Sequence, residues 1–600
     1  MASRRPPVVA TASYAEGLPP VDVDPNRHAT SWLWEQSESG EGRPVVRYPA
    51  REGWVALDKA EVASRVSGLA SGLIAAGMAA GDRVALMGAT GWEWALADLA
   101  ILAAAGVTVP IYDSSPVPQC ARILADSSPR LAIGGSPRQA ARLREAWGDE
   151  GGPVVCIDAG GLDELAEGGR EHDRDELHRR LTYLDGNSLA TIVYTSGTTG
   201  APKGCRITHA NIVWTSTQAR ARLAEVVAPG SSTLLFLPLA HIFARVIQLT
   251  CFDAGVEVGY ARSLSHLRDD LATFRPTFVL VVPEVLQRVF DRARRHARGP
   301  VRALAFAFAE RTGEDWAAVE HPGVRLRSRR ALAGALVYSR LRAGLGGRVR
   351  FCVSGGASLP PRLARFFQAA GVTVLEGYGL TETTAPATVN APGACRLGTV
   401  GQPLPGVAVR LTADGEVLVR GGNVFAGYHR DQEATAAAFE DGWFRTGDLG
   451  RLDGEGFLTI TGRKKEVIVT ATGKMVAPAP FEDSLRAHPL VAEAMVVGDG
   501  RPYLGALVTL DEEEVESYFR AQGGVPTDGA PARDEGIRSE IGRALERANE
   551  DVSPAESVRR FVILDRRFSE DLGELTPSLK LRRSEIAEHF RDDIESLYHR

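Results

Sequence analysis

At 600 residues the chain is too long for a single hydrophobic core, so two or more cores are expected. Hydrophobic residues make up 44% and charged residues 24%, the balance of a soluble globular protein, and a formal net charge of -6 excludes any bulk attraction to nucleic acid. Six cysteines (Cys120, Cys156, Cys205, Cys251, Cys352 and Cys395) form no C-x-x-C pair, which argues against a metal or disulfide framework and for reduced thiols in a cytoplasmic protein.

The opening MASRRPPVVA sets two arginines before an apolar run too short for the core of a secretory signal, and Glu16, Asp22 and Asp24 come soon after. No stretch of about 18 uncharged apolar residues exists, so no membrane-spanning helix is expected. Residues 96–112 come nearest, but Asp98, Gly106 and Pro110 make them a buried helix feeding a strand. Apolar runs at 82–87, 107–112 and 131–133 alternate with helical spacing such as that of 92–105. The pattern resumes at 191–194, 278–282, 350–353 and 372–375. Near-continuous apolar strands alternating with helices predict a parallel α/β architecture. Residues 321–342 hold six arginines and no acid. They predict a solvated helix face or, more sharply, a contact for a co-substrate's phosphates or an anionic membrane surface. After about residue 400 short strands between Gly turns dominate (GEVLVRGG, GWFRTGDLG, GEGFLTITGRKKEVIVT), predicting a β-rich subdomain and then a small separate unit. Residues 511–556 are polar and helical around the loop GGVPTDGAPA, and 584–598 predict one amphipathic helix.

The strongest local motif is Tyr194-Thr-Ser-Gly-Thr-Thr-Gly-Ala-Pro-Lys-Gly204, directly after the β run TIVY. Glycines let backbone N–H groups turn toward a phosphate chain, hydroxyls add donors and Lys203 adds charge. The spacing is not G-x-x-x-x-G-K-[ST], so this is not a Walker A loop. The segment resembles the phosphate loop of the acyl-adenylate-forming superfamily, and six further motifs appear in that superfamily's order, from about Gly81 to the C-terminus.

The resemblance implies a role for each motif. Thr195, Ser196, Gly197, Thr198, Thr199, Gly200 and Lys203 would bind the phosphates. His241, in FLPLAHIFAR, would stand beside the acyl pocket. Gly356 and Ala357, in VSGGASL, would pack on adenine. In EGYGLTETT, Glu376, Gly377, Tyr378 and Gly379 would frame the base, Thr381 would approach the α-phosphate, and Glu382 would share Mg²⁺ with Thr195. Asp448 would accept the ribose hydroxyls, Arg463 would contact the nucleotide, and Lys465, in GRKKE, would be the hinge for a domain rotation. Gly473 and Lys474 would belong to the loop that serves the CoA step, although Met475 stands where long-chain members usually carry Asn. Lys580, in ELTPSLKLRR, would be the catalytic lysine; Leu579 before it, where most members have Gly, is similar to long-chain fatty acyl-CoA synthetases.

The same resemblance implies domains at 1–462 and 467–600 about a hinge at 463–466. The fold expected is α/β: a large N-terminal domain of parallel α/β subdomains plus a β-rich subdomain, and a small mobile α+β C-terminal domain. The activity implied is that of an AMP-forming ligase joining a fatty acid to CoA, with Mg²⁺ as cofactor, ATP and CoA as co-substrates, and weak peripheral membrane contact. Three alternatives stand: a fatty acyl-AMP ligase loading a carrier protein, an amino-acid adenylation domain, and a binding protein with a dead site. The presence of Lys203, Glu382, Asp448, Arg463 and Lys580 argues against the last.

Overall fold

The computed structural model describes all residues except 1–8, 36–41, 52, 170–173, 196–201, 298, 320, 472, 523–530, 551–555, 577–579 and 600. The apolar runs form buried strands. In one six-stranded sheet the order is Lys203–Thr208, Leu189–Thr195, Val107–Ile111, Arg83–Met87, Leu131–Gly134 and Val154–Cys156. All pairings in it are parallel except that of Lys203–Thr208, which doubles back on Leu189–Thr195. A nine-stranded sheet has a parallel centre of Thr373–Leu380, Phe351–Ser354, Phe278–Val281, Ser232–Leu235 and Glu257–Tyr260. Strands buried on both faces need apolar residues at every position, and helices cover both sides. The helix Trp92–Ala103 shows how completely: its two tryptophans and nearly all its aliphatic residues are buried.

A seven-stranded antiparallel sheet comes next, including Ala408–Leu411, Glu416–Arg420, Trp443–Leu452 and Leu458–Arg463. This is the β-rich part expected after residue 400. Beyond it lies a small α+β domain. Its three-stranded sheet (Val491–Val497, Leu504–Leu510, Val558–Ile563) carries the helices Ala479–Arg486 and Glu535–Ala548 over one core. A second core holds Phe568, Ile586, Phe590 and Leu597. The whole is therefore a mixed α/β fold with a large N-terminal and a small C-terminal domain. No helix among the described residues is long and apolar enough to cross a membrane.

Two local expectations need correction. The segment 584–598 is two helices, Arg583–His589 and Arg591–Ser596, not one. The break is at Phe590 (φ -111°, ψ 31°), whose ring packs against Phe568 at 5.8 Å and is buried in the second core. The arginine-rich stretch is only partly a solvated face. Arg329 pairs with Asp315 at 2.7 Å, and Arg330 and Arg342 donate to the carbonyls of Ala369 and Ala370 at 2.8 Å each, at the C-terminal end of the helix Pro361–Ala369. The acid and carbonyls come from neighbouring helices, so the stretch itself gives no sign of them.

Candidate functional site

Ser354, the carboxyl end of its strand, lies opposite Glu376 on the adjacent parallel strand, so the turn after Ser354 and the outer half of Thr373–Leu380 open on the same edge of the sheet. Such edges are where open α/β sheets bind ligands. Gly356 adopts φ +87°, a backbone that side-chain-bearing residues rarely take. At Gly379 a Cβ would stand 1.7 Å from the carbonyl oxygen of Ala385, so only glycine lets the hairpin of Thr373–Leu380 and Ala385–Val389 close. That closure presents Tyr378, Thr381 and Glu382 to a cleft of ≈ 3810 Å³. The volume is several times that of a small-ligand pocket, enough for distinct subsites.

The expected site residues meet there. Thr195, Lys203, His241, Gly356, Ala357, Glu376, Gly377, Tyr378, Gly379, Thr381, Glu382, Asp448, Arg463, Lys465 and Lys580 all line the cleft. Ser196, Gly197, Thr198, Thr199 and Gly200 lie outside the described residues. Gly473 and Lys474 do not line it: Lys474 pairs with Glu556 at 3.2 Å.

Asp448, 4% exposed, is a fixed carboxylate in the wall of the cleft. Tyr378 donates its hydroxyl to Oδ2 at 2.7 Å, and Arg463 Nε stands 3.3 Å from Oδ1. Burial raises the pKa of the Asp448 carboxyl, and Arg463 opposes that rise. Glu376 is buried and forms no ion pair among the described residues, and burial pushes it up to about 7 although the Leu359 and Gly398 N–H groups pull the other way. Lys203 stands 4.0 Å from Asp431 and 5.1 Å over the Tyr428 ring.

Tyr428, which sequence reasoning missed, donates to Glu382 Oε1 at 3.0 Å. The Cys205 thiol, also missed, lies against both Glu382 and Thr195, and burial drives its pKa well up. A carboxylate and a hydroxyl thus converge on one point. Among the described residues no cluster of three or more His, Cys, Asp or Glu side chains could cage a metal. One carboxylate plus a hydroxyl instead fits Mg²⁺, which keeps waters and shares substrate phosphates.

His241 caps the helix Ile242–Asp253 by accepting from the Phe243 N–H at 3.2 Å, and burial, helped by Lys580, lowers it to about 4. It is therefore a neutral ring at pH 7. The same cleft has an apolar part, called its apolar arm below, lined by Phe236, Phe243, Val282, Val289, Phe306 and Leu341. Four residues after His241, Arg245 is buried and reaches back to the six-stranded sheet. It grips Asp98 through Nε at 2.7 Å and Nη2 at 2.5 Å, and donates to Thr191 at 2.6 Å. Thr191 lies in the strand Leu189–Thr195 that leads into the Gly- and Thr-rich segment 194–204, so this network ties the base of that segment to the helix Ile242–Asp253.

Lys580 sits on the returning arm of a hairpin closed by the Leu575–Leu581 bridge. The hairpin's base is pinned by Glu574, which is fully buried: Arg566 Nη2 donates at 2.5 Å and His589 Nδ1 stands at 2.8 Å. Burial pushes Glu574 up, but Arg566, then His589 and the Ser569 N–H, outweigh it and hold it at about 2. The Lys580 side chain reaches a solvent-accessible point that is nonetheless crowded by protein. That crowding and Arg463 lower its pKa, while Asp448 and Glu466 raise it.

The hinge candidate Lys465 is bracketed. Before it, Lys464 is held by Asp414 at 2.7 Å and by the buried Glu416 at 2.9 Å, and Glu416 also takes Arg445 at 2.7 Å. After it, Glu466 stands 3.6 Å from Arg583, which grips Glu482 through two donors at 2.6 and 2.8 Å. Lys464 is thus tied to residues of the large domain and Glu466 to a residue of the small one. Few of these supporting partners have a sequence signal, although Arg245 and Glu574 do lie inside the FLPLAHIFAR and ELTPSLK blocks.

Comparisons with known proteins agree with this geometry. The family of AMP-binding enzymes matches residues 33–429, and that of the AMP-binding enzyme C-terminal domain matches residues 465–600. The chain is 45% identical over 559 residues to the long-chain-fatty-acid–CoA ligase FadD15 of Mycobacterium tuberculosis (strain ATCC 25618 / H37Rv), covering 91% of this chain and 93% of that one. It is 32% identical over 542 residues to long-chain-fatty-acid–CoA ligase 1 of Homo sapiens, covering 84% and 77%. In fold it is similar to ATP-bound MatB from Rhodopseudomonas palustris (TM-score 0.69, 24% identity, 94% of this chain and 99% of that one). It is also similar to the adenylation domain of a carboxylate reductase from Mycobacterium chelonae (TM-score 0.72, 24% identity, 96% and 92%). The chain belongs to the AMP-binding enzyme family.

Proposed function

We propose that this protein is a long-chain fatty acid–CoA ligase of the cytoplasm that forms an acyl-AMP from a fatty acid and ATP and then passes the acyl group to the CoA thiol. The observation that carries the reading is the cleft itself. A polar floor of Lys203, Tyr378, Glu382, Asp448, Arg463 and Lys580 joins an apolar arm beside a neutral His241. The likeness to long-chain ligases along most of the chain supports the acid's class and the acceptor. All six cysteines are free thiols, which fits a reducing compartment.

A carboxylate is a poor acyl donor because its oxygen is a poor leaving group. In the first step a carboxylate oxygen bonds to the α-phosphorus as the bond to the β-phosphate oxygen breaks, releasing pyrophosphate. Two anions must meet, so the barrier is largely electrostatic. Lys580 and Lys203 supply positive charge, Asp448 receives the ribose hydroxyls, and Tyr378 offers its face to the adenine. Glu382 and Thr195 are the residues that would hold Mg²⁺, which when bound neutralises phosphate charge. In the second step the CoA sulfur bonds to the acyl carbon, AMP leaves and the thiol proton is lost.

Lys580 serves only the first step. We infer domains at 1–462 and 467–600 that rotate about 463–466, with Lys465 as the turning residue. The rotation would withdraw Lys580 and bring Gly473 and Lys474 to the cleft. Support comes from the bracketing of Lys465, one neighbour held by each domain, and from the absence of Gly473 and Lys474 from the cleft in this orientation. A fatty acyl-AMP ligase serving a carrier protein is the second reading, since Met475 departs from the usual CoA-side loop. Pyrophosphate release with ATP, Mg²⁺ and fatty acids of six to eighteen carbons, with and without CoA, separates the two. Turnover sustained only with CoA and greatest for long chains is expected; a single stoichiometric burst indifferent to CoA would overturn it.

A further inference from the structure

Glu382 is the carboxylate that would hold Mg²⁺, yet among the described residues it forms no ion pair. Its side-chain partners are the Tyr428 hydroxyl at 3.0 Å and the Cys205 thiol, both neutral. A cation in that place would cancel the charge that attracts a metal; a neutral donor fixes the carboxylate and leaves its charge intact. Tyr428 reaches Glu382 from a segment that is itself firmly tied. Residues 425–429 run antiparallel to the strand Lys203–Thr208, with Tyr428 opposite Cys205. The Ala426 and His429 N–H groups donate to the Arg206 and Gly204 carbonyls at 3.0 and 2.7 Å, and the Arg206 N–H to the Gly427 carbonyl at 2.9 Å. The Phe425 N–H donates to the carbonyl of Glu382 itself at 2.8 Å, and the Tyr428 N–H to the Thr435 hydroxyl at 2.9 Å. The Tyr428 ring also faces Lys203, whose Nζ stands 5.1 Å from the centroid. Packing edge-on against Phe425 at 4.9 Å accounts for the ring but not for the direction of the hydroxyl.

We propose that Tyr428 is a positioning residue serving two charged groups of the site at once: its hydroxyl fixes Glu382 for a divalent cation, and its ring steadies Lys203. The two roles are separable because they use different parts of one side chain. A partner that orients a metal-binding carboxylate carries about tenfold or more of the metal affinity. A cation–π contact at an exposed lysine carries only about two- to fivefold. The inference rests on the reading that Glu382 and Thr195 take Mg²⁺.

The test is calorimetric titration of the full chain with ATP, at a series of Mg²⁺ concentrations and in EDTA, with no acid present so that nothing turns over. In Tyr428→Phe the Mg²⁺ concentration that gives half of the gain in ATP affinity should rise about tenfold, while affinity in EDTA stays within about twofold. Tyr428→Leu, which lacks the ring as well, should in addition lose about two- to fivefold in EDTA. Pyrophosphate release with a fatty acid should show the same split in Tyr428→Phe: KM for Mg²⁺ up about tenfold, with kcat at saturating Mg²⁺ and KM for the acid little changed. An equal loss of ATP affinity with and without Mg²⁺ in Tyr428→Phe, as a merely structural role would give, would overturn the inference, and so would a Mg²⁺ dependence identical to that of the unsubstituted chain. ATP binding by the unsubstituted chain that ignores Mg²⁺ would overturn the inference together with the metal assignment beneath it.

Discussion

The two halves of the site are held in different ways. On the large domain, Asp448 and Glu376 are buried, Asp448 is met by Tyr378 and Arg463, and Glu382 by Tyr428. The small domain contributes Lys580 from a hairpin that is itself well pinned, but the domain touches the large one through exposed polar pairs. These include Ser114 to Glu570 at 2.9 Å and Ser358 to Asp483 at 2.9 Å, beside a partly buried pair of Arg295 with Glu514 at 3.2 Å. Exposed pairs of this kind contribute roughly 0–1 kcal/mol each. On the proposed mechanism the difference teaches a division of labour: the half assigned to the nucleotide is preformed, and the half assigned the step-specific cation is rigid internally but lightly attached.

Lys580→Ala should break the comparison at its sharpest point. Adenylation, monitored by pyrophosphate release, should fall by about 10²–10³, while thioester formation from supplied acyl-AMP stays near wild type. Tyr378→Phe probes the preformed half. It removes a hydrogen bond to a buried carboxylate, of about 1.5–3 kcal/mol, so KM for ATP should rise at least about tenfold, with little change in kcat.

Glu376 gives a pH signature confined to the large domain. Its carboxyl ionises at 4.5 in the unfolded chain and at about 7 when folded, so the folded state holds the extra proton between those values. Stability is therefore fully present below about pH 4.5 and is lost as pH rises toward 7, by up to about 1.4 kcal/mol per pH unit. Glu376→Gln should flatten that slope in denaturant titrations across pH 5–7. The smallest effect is expected at the interface. Ser114→Ala/Ser358→Ala should change unfolding stability by less than about 0.5 kcal/mol and adenylation by under about threefold, since both bonds are solvent-exposed.

The sequence shows the frame and the tips of the site more clearly than what holds them. Strands such as Arg83–Met87 and Phe351–Ser354 are continuous apolar runs because both faces are covered, a local signal. Lys203, Tyr378, Glu382, Asp448 and Lys580 sit in Gly-rich turns or motif blocks whose composition is itself the signal. Their partners are remote in the chain: Arg245 and Asp98 lie 147 residues apart, Tyr378 and Asp448 70, and Arg583 and Glu482 101. No periodicity links such pairs; only the fold does. The broken helix at Phe590 was hidden for the same reason, since Phe568, which draws its ring inward, lies outside the helical pattern.

On the proposed mechanism the small domain turns on Lys465 between the two chemical steps. Lys464 is tied to Asp414 and Glu416, and Glu466 to Arg583, so the turn has one residue in which to occur. The direct measurement is both half-reactions in Lys465→Pro, whose fixed φ resists the change. A turn at Lys465 predicts pyrophosphate release from acid and ATP near that of the unsubstituted enzyme and thioester formation slowed far more. Equal loss in both half-reactions would contradict it.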